Sequence, residues 1–284
     1  MNTNPSSTGQ HHVFRKLLRH PSATIGASII LFFVIIALLA PFIATHDPMQ
    51  TDITERLKGS SGRHYLGTDG TGRDIFSRVL YGSRISLKVG LIAITFSLGF
   101  GTLFGAFAGY FGGWLDNLIM RVNDMLLAMP SILLAMVIVT ILGQSLTNAI
   151  IAVSIVYIPQ YARILRASVL KVRELDYVTS AKVIGASDIR ILVTTVLPNC
   201  LAPLIVQATL GIGAAILDAA GLSFLGLGAE VGVPEWGAML NENTKHIRKV
   251  PLAVTAPGMA IFLVVLGFNL LGDALRDALD PQID

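Results

Sequence analysis

The sequence predicts an all-α integral membrane protein with six transmembrane helices. Two observations carry this. Of the 284 residues, 53% are hydrophobic and only 14% charged, where an ordinary soluble domain carries about 25% charged residues. The apolar windows also reach the length of about 20 residues that a helix needs to cross a hydrocarbon core. A mean hydropathy of +0.67 agrees with both.

The first window runs from Thr24 to Thr45, after an inner segment, 1–23. Arg15, Lys16 and Arg19 give it the basic start of a signal peptide. Its apolar run exceeds the usual length of about 7 to 15 residues and no clean A-x-A site follows, so a retained anchor is expected. An outer loop, 46–88, comes next. There Ile75, Val79, Leu80 and Ile85 suggest a helix resting in the interface, with Arg78, Arg84 and Lys88 reaching for phosphates.

The second window, Val89 to Tyr110, contains most of "GFGTLFGAFAGYFGG", which places Gly101, Gly105 and Gly109 on one helix face at four-residue spacing. Such a ridge lets a neighbouring helix approach closely, and in lipid that packing drives association. A charge-free stretch from Met125 to Ala162 is too long for one span and suits two, with Gly143-Gln144-Ser145 as the turn. Pro130 and Pro159 are expected to bend or interrupt these helices. The fifth and sixth windows are Leu201 to Ala220 and Pro251 to Gly272, before a tail, 273–284. The five later spans make a core, 89–272, carrying an inner loop, 163–199, and an outer loop, 222–250.

Six spans put both termini on one side. The 21 Lys and Arg divide almost evenly between the two sides and so do not orient the chain. Arg163, Arg166, Lys171, Arg173, Lys182 and Arg190 nevertheless make 163–199 the densest basic inner segment, and charges in the long first outer loop count for less. Loop 163–199 is therefore expected inside, with both termini.

The search for catalytic chemistry is mostly negative. His11, His12, His20, His46, His64 and His246 lie outside the windows without metal-ligand spacing, so solvated loop positions are expected. "GTDGTGRD", Gly67 to Asp74, lacks the order of a phosphate-binding loop, and no G-x-S-x-G elbow is present. Cys200 has no second cysteine to pair with. A net charge of +3 spread over so few charges implies no nucleic-acid partner. If transport is active, its energy comes from an ion gradient or another subunit. Asp218, in "AAILDAAGLSFLGLG", is an intramembrane acid and hence a functional candidate, with a hydrated position near the outer end of the span as the alternative. A proton relay would want a second buried acid or histidine, which no other window offers.

Between the fourth and fifth windows lies "DYVTSAKVIGASDIR", Asp176 to Arg190. Residues Arg163 to Ile184 contain no Pro or Gly and are expected to form one helix leaving the membrane. Gly185 suits the left-handed C′ position. Ser187 is the expected N-cap of a second helix, with Asp188 at its positive start, running to Leu197 before Pro198. This helix, turn, helix with exposed Tyr177, Val178 and Ile184 is suited to docking in a groove of another protein.

The loop resembles the cytoplasmic loop of ATP-binding-cassette importer permeases, whose pattern is Glu-Ala-Ala, three residues, Gly, nine residues, Ile, one residue, Leu-Pro. Thr179, Ser180 and Ala181 occupy the triplet, Gly185 the glycine, Thr195 the isoleucine place and Leu197-Pro198 the end. Further blocks are similar to the second permease subunit of dipeptide, oligopeptide and nickel importers: "LGTDGTGRDIFSRVLYGSRISL" (Leu66 to Leu87), "GLSFLGLG" (Gly221 to Gly228), "PEWGAML" (Pro234 to Leu240) and "FNLLGDALRDALDP" (Phe268 to Pro281). Asp218 stands where that branch commonly has a glutamate.

The resemblance implies the importer-type fold of one N-terminal helix plus a five-helix core, paired with a second, homologous permease subunit in a bacterial cytoplasmic (inner) membrane. It implies that Tyr177, Val178, Thr179, Ser180, Ala181, Gly185, Ala186, Ser187, Leu197 and Pro198 form an ATPase-coupling loop. Asp218, Pro234, Glu235 and Trp236 would lie on the pathway or face an extracytoplasmic solute-binding protein, with interface anchoring as the other reading of Trp236. The chain would be no enzyme and hold no cofactor, ATP and magnesium being bound by two partner ATP-binding subunits. The cargo would be dipeptides or oligopeptides, or by the same machinery nickel or glutathione. Competing classes are a gradient-driven transporter or channel, and a membrane scaffold.

Overall fold

The computed structural model describes residues 20–279, which form helices joined by loops. Helix α1, Pro21–Ile43, starts on a proline whose missing N–H costs nothing in a first turn. A 3₁₀ turn at Ile53–Glu55 lies in the long loop that follows, and α2 then runs unbroken from Ile75 to Phe111. Next come α3 (Gly113–Leu127), α4 (Ser131–Leu142) and α5 (Leu146–Val172). Among the described residues five helices are long and apolar enough to cross a membrane, and α3 with α4 makes a sixth candidate span bent by 95°. The six-span reading is met in this form, with the third span broken. Pro130 explains the break, because its ring disfavours helical geometry in the preceding residue and Pro130 is itself extended. Between α4 and α5, Gly143 has φ +94°. Ser145 caps α5 by accepting from the Asn148 N–H at 3.1 Å, while Asn148 Nδ2 closes the turn on the Leu142 and Gly143 carbonyls.

α2 and α5 lie against each other along most of their length. The three glycines set how close: a methyl group on Gly105 would meet the Ala162 backbone, and one on Gly109 would sit 2.9 Å from Val169 Cβ. Ser97 Oγ also donates across the pair to the Ser154 carbonyl at 2.7 Å. Around this contact grows the larger core, with Ile94, Tyr161, Leu165 and Val169 buried.

After α5, the chain forms α6 (Asp176–Val183), α7 (Asp188–Ile191), a π turn (Leu192–Val196) and a short helical turn, α8 (Leu197–Asn199). Then follow α9 (Leu201–Phe224), α10 (Trp236–Asn243) and α11 (Leu252–Leu279). The smaller second core joins Phe33 of α1 and Ile216 of α9 to Trp236 and Met239 of α10 and Val264 of α11.

Two expectations for the first loop are corrected here. Residues 75–88 are no separate interfacial helix but the first turns of α2, and Arg78 is fully buried. Its guanidinium donates to Glu242 at 3.0 Å and to the Gly232 carbonyl at 2.9 Å, and Arg73 bridges Glu242 (2.6 Å) and Asp69 (2.7 Å). This network ties the start of α2 to α10, so one end of the bundle carries a folded cap made from residues 44–88 and 226–250. Arg73 and further hydrogen bonds outweigh the burial of Asp69 and hold its carboxyl below the usual range.

The second correction concerns His64, which is buried rather than solvated. Its Nδ1 lies 2.9 Å from Asp74, the residue that caps α2 by accepting from the Ser77 N–H at 2.8 Å. His46 stacks on His64 at 4.5 Å.

Candidate functional site

The end of the bundle opposite the cap is where α2 finishes and the segment 173–200 is presented. The expected single helix from Arg163 to Ile184 is interrupted: α5 stops at Val172 and Leu175 is extended. No Pro or Gly causes this. Instead Arg173 Nη1 donates to the Gly109 carbonyl at 2.7 Å, spending the side chain on the end of α2. Arg166 forks onto both oxygens of Asp116 (2.5 and 2.6 Å) and so fastens α3 to α5.

α6 then leaves this base with Asp176 in its first turn and Lys182 in its last, each matching the helix dipole. It ends in a Schellman arrangement. The Ala186 N–H donates to the Ala181 carbonyl (3.1 Å) and the Gly185 N–H to the Lys182 carbonyl (3.0 Å), with Gly185 at φ +85°. That conformation is what only glycine adopts at little cost.

Ser187 holds the N-cap position of α7, but its side chain makes no cap bond. Asp188 instead accepts from Tyr110 Oη at 2.9 Å, which pins α7 to the end of α2. The second helical segment also does not stop before Pro198. The chain widens into a π turn over Leu192–Val196, the Leu197 N–H bonding back to Leu192, and Pro198 enters the next helical turn. A proline lacks the N–H and crowds the carbonyl four residues back, and a π turn relieves both.

Tyr177, Thr179, Ser180, Gly185 and Ser187 are exposed, and Ala181 and Ala186 partly so. Val178 is the correction within this group: it is fully buried, the plug that seats α6 on the core. The exposed apolar surface lies at the tip instead, where Val183 and Ile184 are 82% and 84% exposed, joined by Ile189 and Val193. Leu197 is half-buried and Pro198 exposed at the base. These side chains make a contiguous exposed apolar tip on an otherwise polar element.

The residues read as pathway or binding-protein side separate into two groups. Asp218 is half-buried in α9 and accepts from Tyr157 Oη of α5 at 3.0 Å, so the acid has a neutral partner that lies 61 residues away in sequence. Pro234, Glu235 and Trp236 are all buried within the cap. Glu235 caps α10, accepting from the Gly237 and Ala238 N–H groups at 2.9 Å each, and burial raises its carboxyl above the usual range. Trp236 is 0% exposed, edge-on to Phe33, with Nε1 donating to the Val79 carbonyl at 3.1 Å. It is neither an interface anchor nor an exposed contact; it locks α10 onto α1 and α2.

Ligating atoms of His46, His64 and Asp74 lie within 4.8 Å of one another, near enough to share a cation. Asp74 is already committed to the Ser77 N–H, to His64 and to Thr45 Oγ1, bonds that account for the cluster as a helix cap.

Residues 101–284 match the family model described as the inner membrane component of binding-protein-dependent transport systems. Residues 11–59 match the N-terminal transmembrane domain of oligopeptide transport permease C. The chain is 50% identical over 270 residues to the dipeptide transport system permease protein DppC of Alkalihalophilus pseudofirmus, covering 95% of this chain and 89% of that protein. It is 44% identical to the glutathione transport system permease protein GsiD of Pectobacterium atrosepticum, over 95% of this chain and 90% of that one. Among solved structures, the inward-facing MetNI methionine ABC transporter has a chain that superposes with TM-score 0.58 at 17% identity, covering 72% of this chain and 97% of that chain, a likeness of fold. With the family match spanning most of the spans and the helix-turn-helix at 176–198, this chain belongs to the family of binding-protein-dependent transport system inner membrane components.

Proposed function

We propose that this chain is one permease subunit of an ATP-driven importer of peptides, itself non-catalytic and without a cofactor. The observation that carries the reading is its identity of 50% over 95% of its length to a dipeptide permease. The tip at Val183 and Ile184, held by the Gly185 turn, supports it as the contact for a separate ATP-binding subunit that holds ATP and magnesium. Tyr177, Thr179, Ser180, Ala181, Ala186, Ser187, Leu197 and Pro198 line or brace that contact, and Val178 anchors it. On this reading the tip lies on the cytoplasmic side of a bacterial inner membrane with both termini, and the cap lies outside, beneath a solute-binding protein. A homologous permease completes the pathway, and closure of two ATP-binding subunits moves the 176–198 element as a rigid body. Asp218, which accepts a hydrogen bond from Tyr157, lines the pathway on this reading.

Glutathione, itself a modified tripeptide, is the second reading, favoured by 44% identity to a glutathione permease. Reconstituting the two permeases, the ATP-binding subunits and the binding protein in liposomes tests both. ATP-dependent uptake of labelled dipeptide is expected; uptake of glutathione alone would select the second reading. Uptake by this chain by itself under an ion gradient would overturn the proposal.

A further inference from the structure

Between α1, α2 and α5, on the half of the bundle next to the cap, lies a groove of about 950 Å³. Its walls are aliphatic and aromatic, including Leu38, Ile92, Phe96, Phe100, Ile151 and Ile155, and at its cap end stand Arg84 and Lys88. We propose that this groove binds an anionic phospholipid, with the phosphate held by Arg84 and Lys88 and an acyl chain lying along α2 toward Phe100.

Three features support that occupant. Arg84 and Lys88 are one turn apart on α2, both exposed, and neither makes an ion pair among the described residues. Two like charges on one face repel each other, and an anion between them removes the repulsion. Lys88 to Phe100 is 12 residues of helix, about 18 Å at 1.5 Å per residue, close to the hydrocarbon depth of one leaflet at about 15 Å. The groove floor is helical backbone already bonded within itself, Ser154 Oγ included through the Ile150 carbonyl, so it offers little to a peptide backbone and suits a hydrocarbon chain.

The test uses the intact importer complex in phosphatidylcholine nanodiscs with a trace of phosphatidylglycerol bearing a diazirine in its acyl chain. Label is expected on Ile92, Phe96 or Ile155. Unlabelled phosphatidylglycerol should compete about tenfold or more better than phosphatidylcholine, since each basic residue near a headgroup contributes roughly 1 kcal/mol. Arg84→Gln with Lys88→Gln should bring the two lipids to parity. Phe96→Trp, which narrows the groove and keeps both charges, should lower labelling while leaving the preference between the two competing lipids unchanged. Equal competition by both lipids in the unaltered complex would overturn the proposal, as would displacement of the label by inorganic phosphate. So would a cross-link from Ile92→Cys to the second permease subunit, which would place protein in the groove instead. None of these outcomes depends on which solute the complex carries.

Discussion

Replacing Gly185 with alanine isolates the backbone contribution of the turn. A Cβ built on Gly185 meets nothing within 4 Å, so no clash accompanies the change. What remains is the cost of holding an L-residue at φ +85°, about 1 to 2 kcal/mol. That amounts to roughly a 5- to 30-fold fall in the ratio of formed to unformed turn. Asparagine, which tolerates the left-handed region, should lose less, and valine, branched at Cβ, should lose most. The assay is peptide-stimulated ATP hydrolysis by the purified complex, read beside the yield of assembled permease in the membrane. Coupled hydrolysis should fall in the order Gly, Asn, Ala, Val, with insertion unchanged and coupling abolished in Gly185→Val. Normal coupling in Gly185→Val, or losses that ignore this order, would show that the turn does not carry the coupling.

Gly105→Val should drive α2 from the Ala162 backbone and cost about 1 to 3 kcal/mol or more, the usual range for overpacking, visible as a lower melting temperature of the detergent-solubilised protein. Glu242→Gln should leave Arg73 and Arg78 short of their shared anion and destabilise the cap by about 3 to 5 kcal/mol; hydrogen exchange should rise first at residues 67–80. Asp69 has a folded pKa below its ordinary 3.8, so its stabilisation is present above pH 3.8 and is lost as pH falls through the lower folded value. Asp69→Asn should therefore destabilise at neutral pH and flatten the loss on acidification, measured by thermal unfolding against pH. Asp218→Asn keeps an acceptor for Tyr157 and removes the charge; transport should change while complex yield holds, and an unchanged transport rate would assign Asp218 a packing role.

The spans were legible in the sequence because lipid leaves only structures that satisfy every backbone group internally, so apolar length alone nearly suffices. Gly185 was legible for a local reason too, a lone glycine between two helix-forming runs. What the sequence did not disclose depended on distant partners. Arg78 has the spacing of an interfacial cation, and it is buried because Glu242, 164 residues away, meets it. Trp236 reads as a membrane-surface aromatic until Phe33 and the Val79 carbonyl are found beside it. The break after Val172 has no helix breaker, since it is set by Arg173 reaching Gly109. Val178 and Val183 are both apolar residues on one short helix, and only the packing of α6 decides that the first is buried and the second exposed.

If the proposed function holds, the tip formed by Val183 and Ile184 docks on an ATP-binding subunit. Disulfide cross-linking from Ile184→Cys, in a chain with Cys200→Ser, to single cysteines placed around the surface groove of that subunit tests it most directly. A cross-link is expected at one site in the assembled complex, with loss of peptide-stimulated hydrolysis on oxidation and recovery on reduction. Free accessibility of Ile184→Cys to a bulky water-soluble maleimide in the assembled complex, without any cross-link, would contradict it.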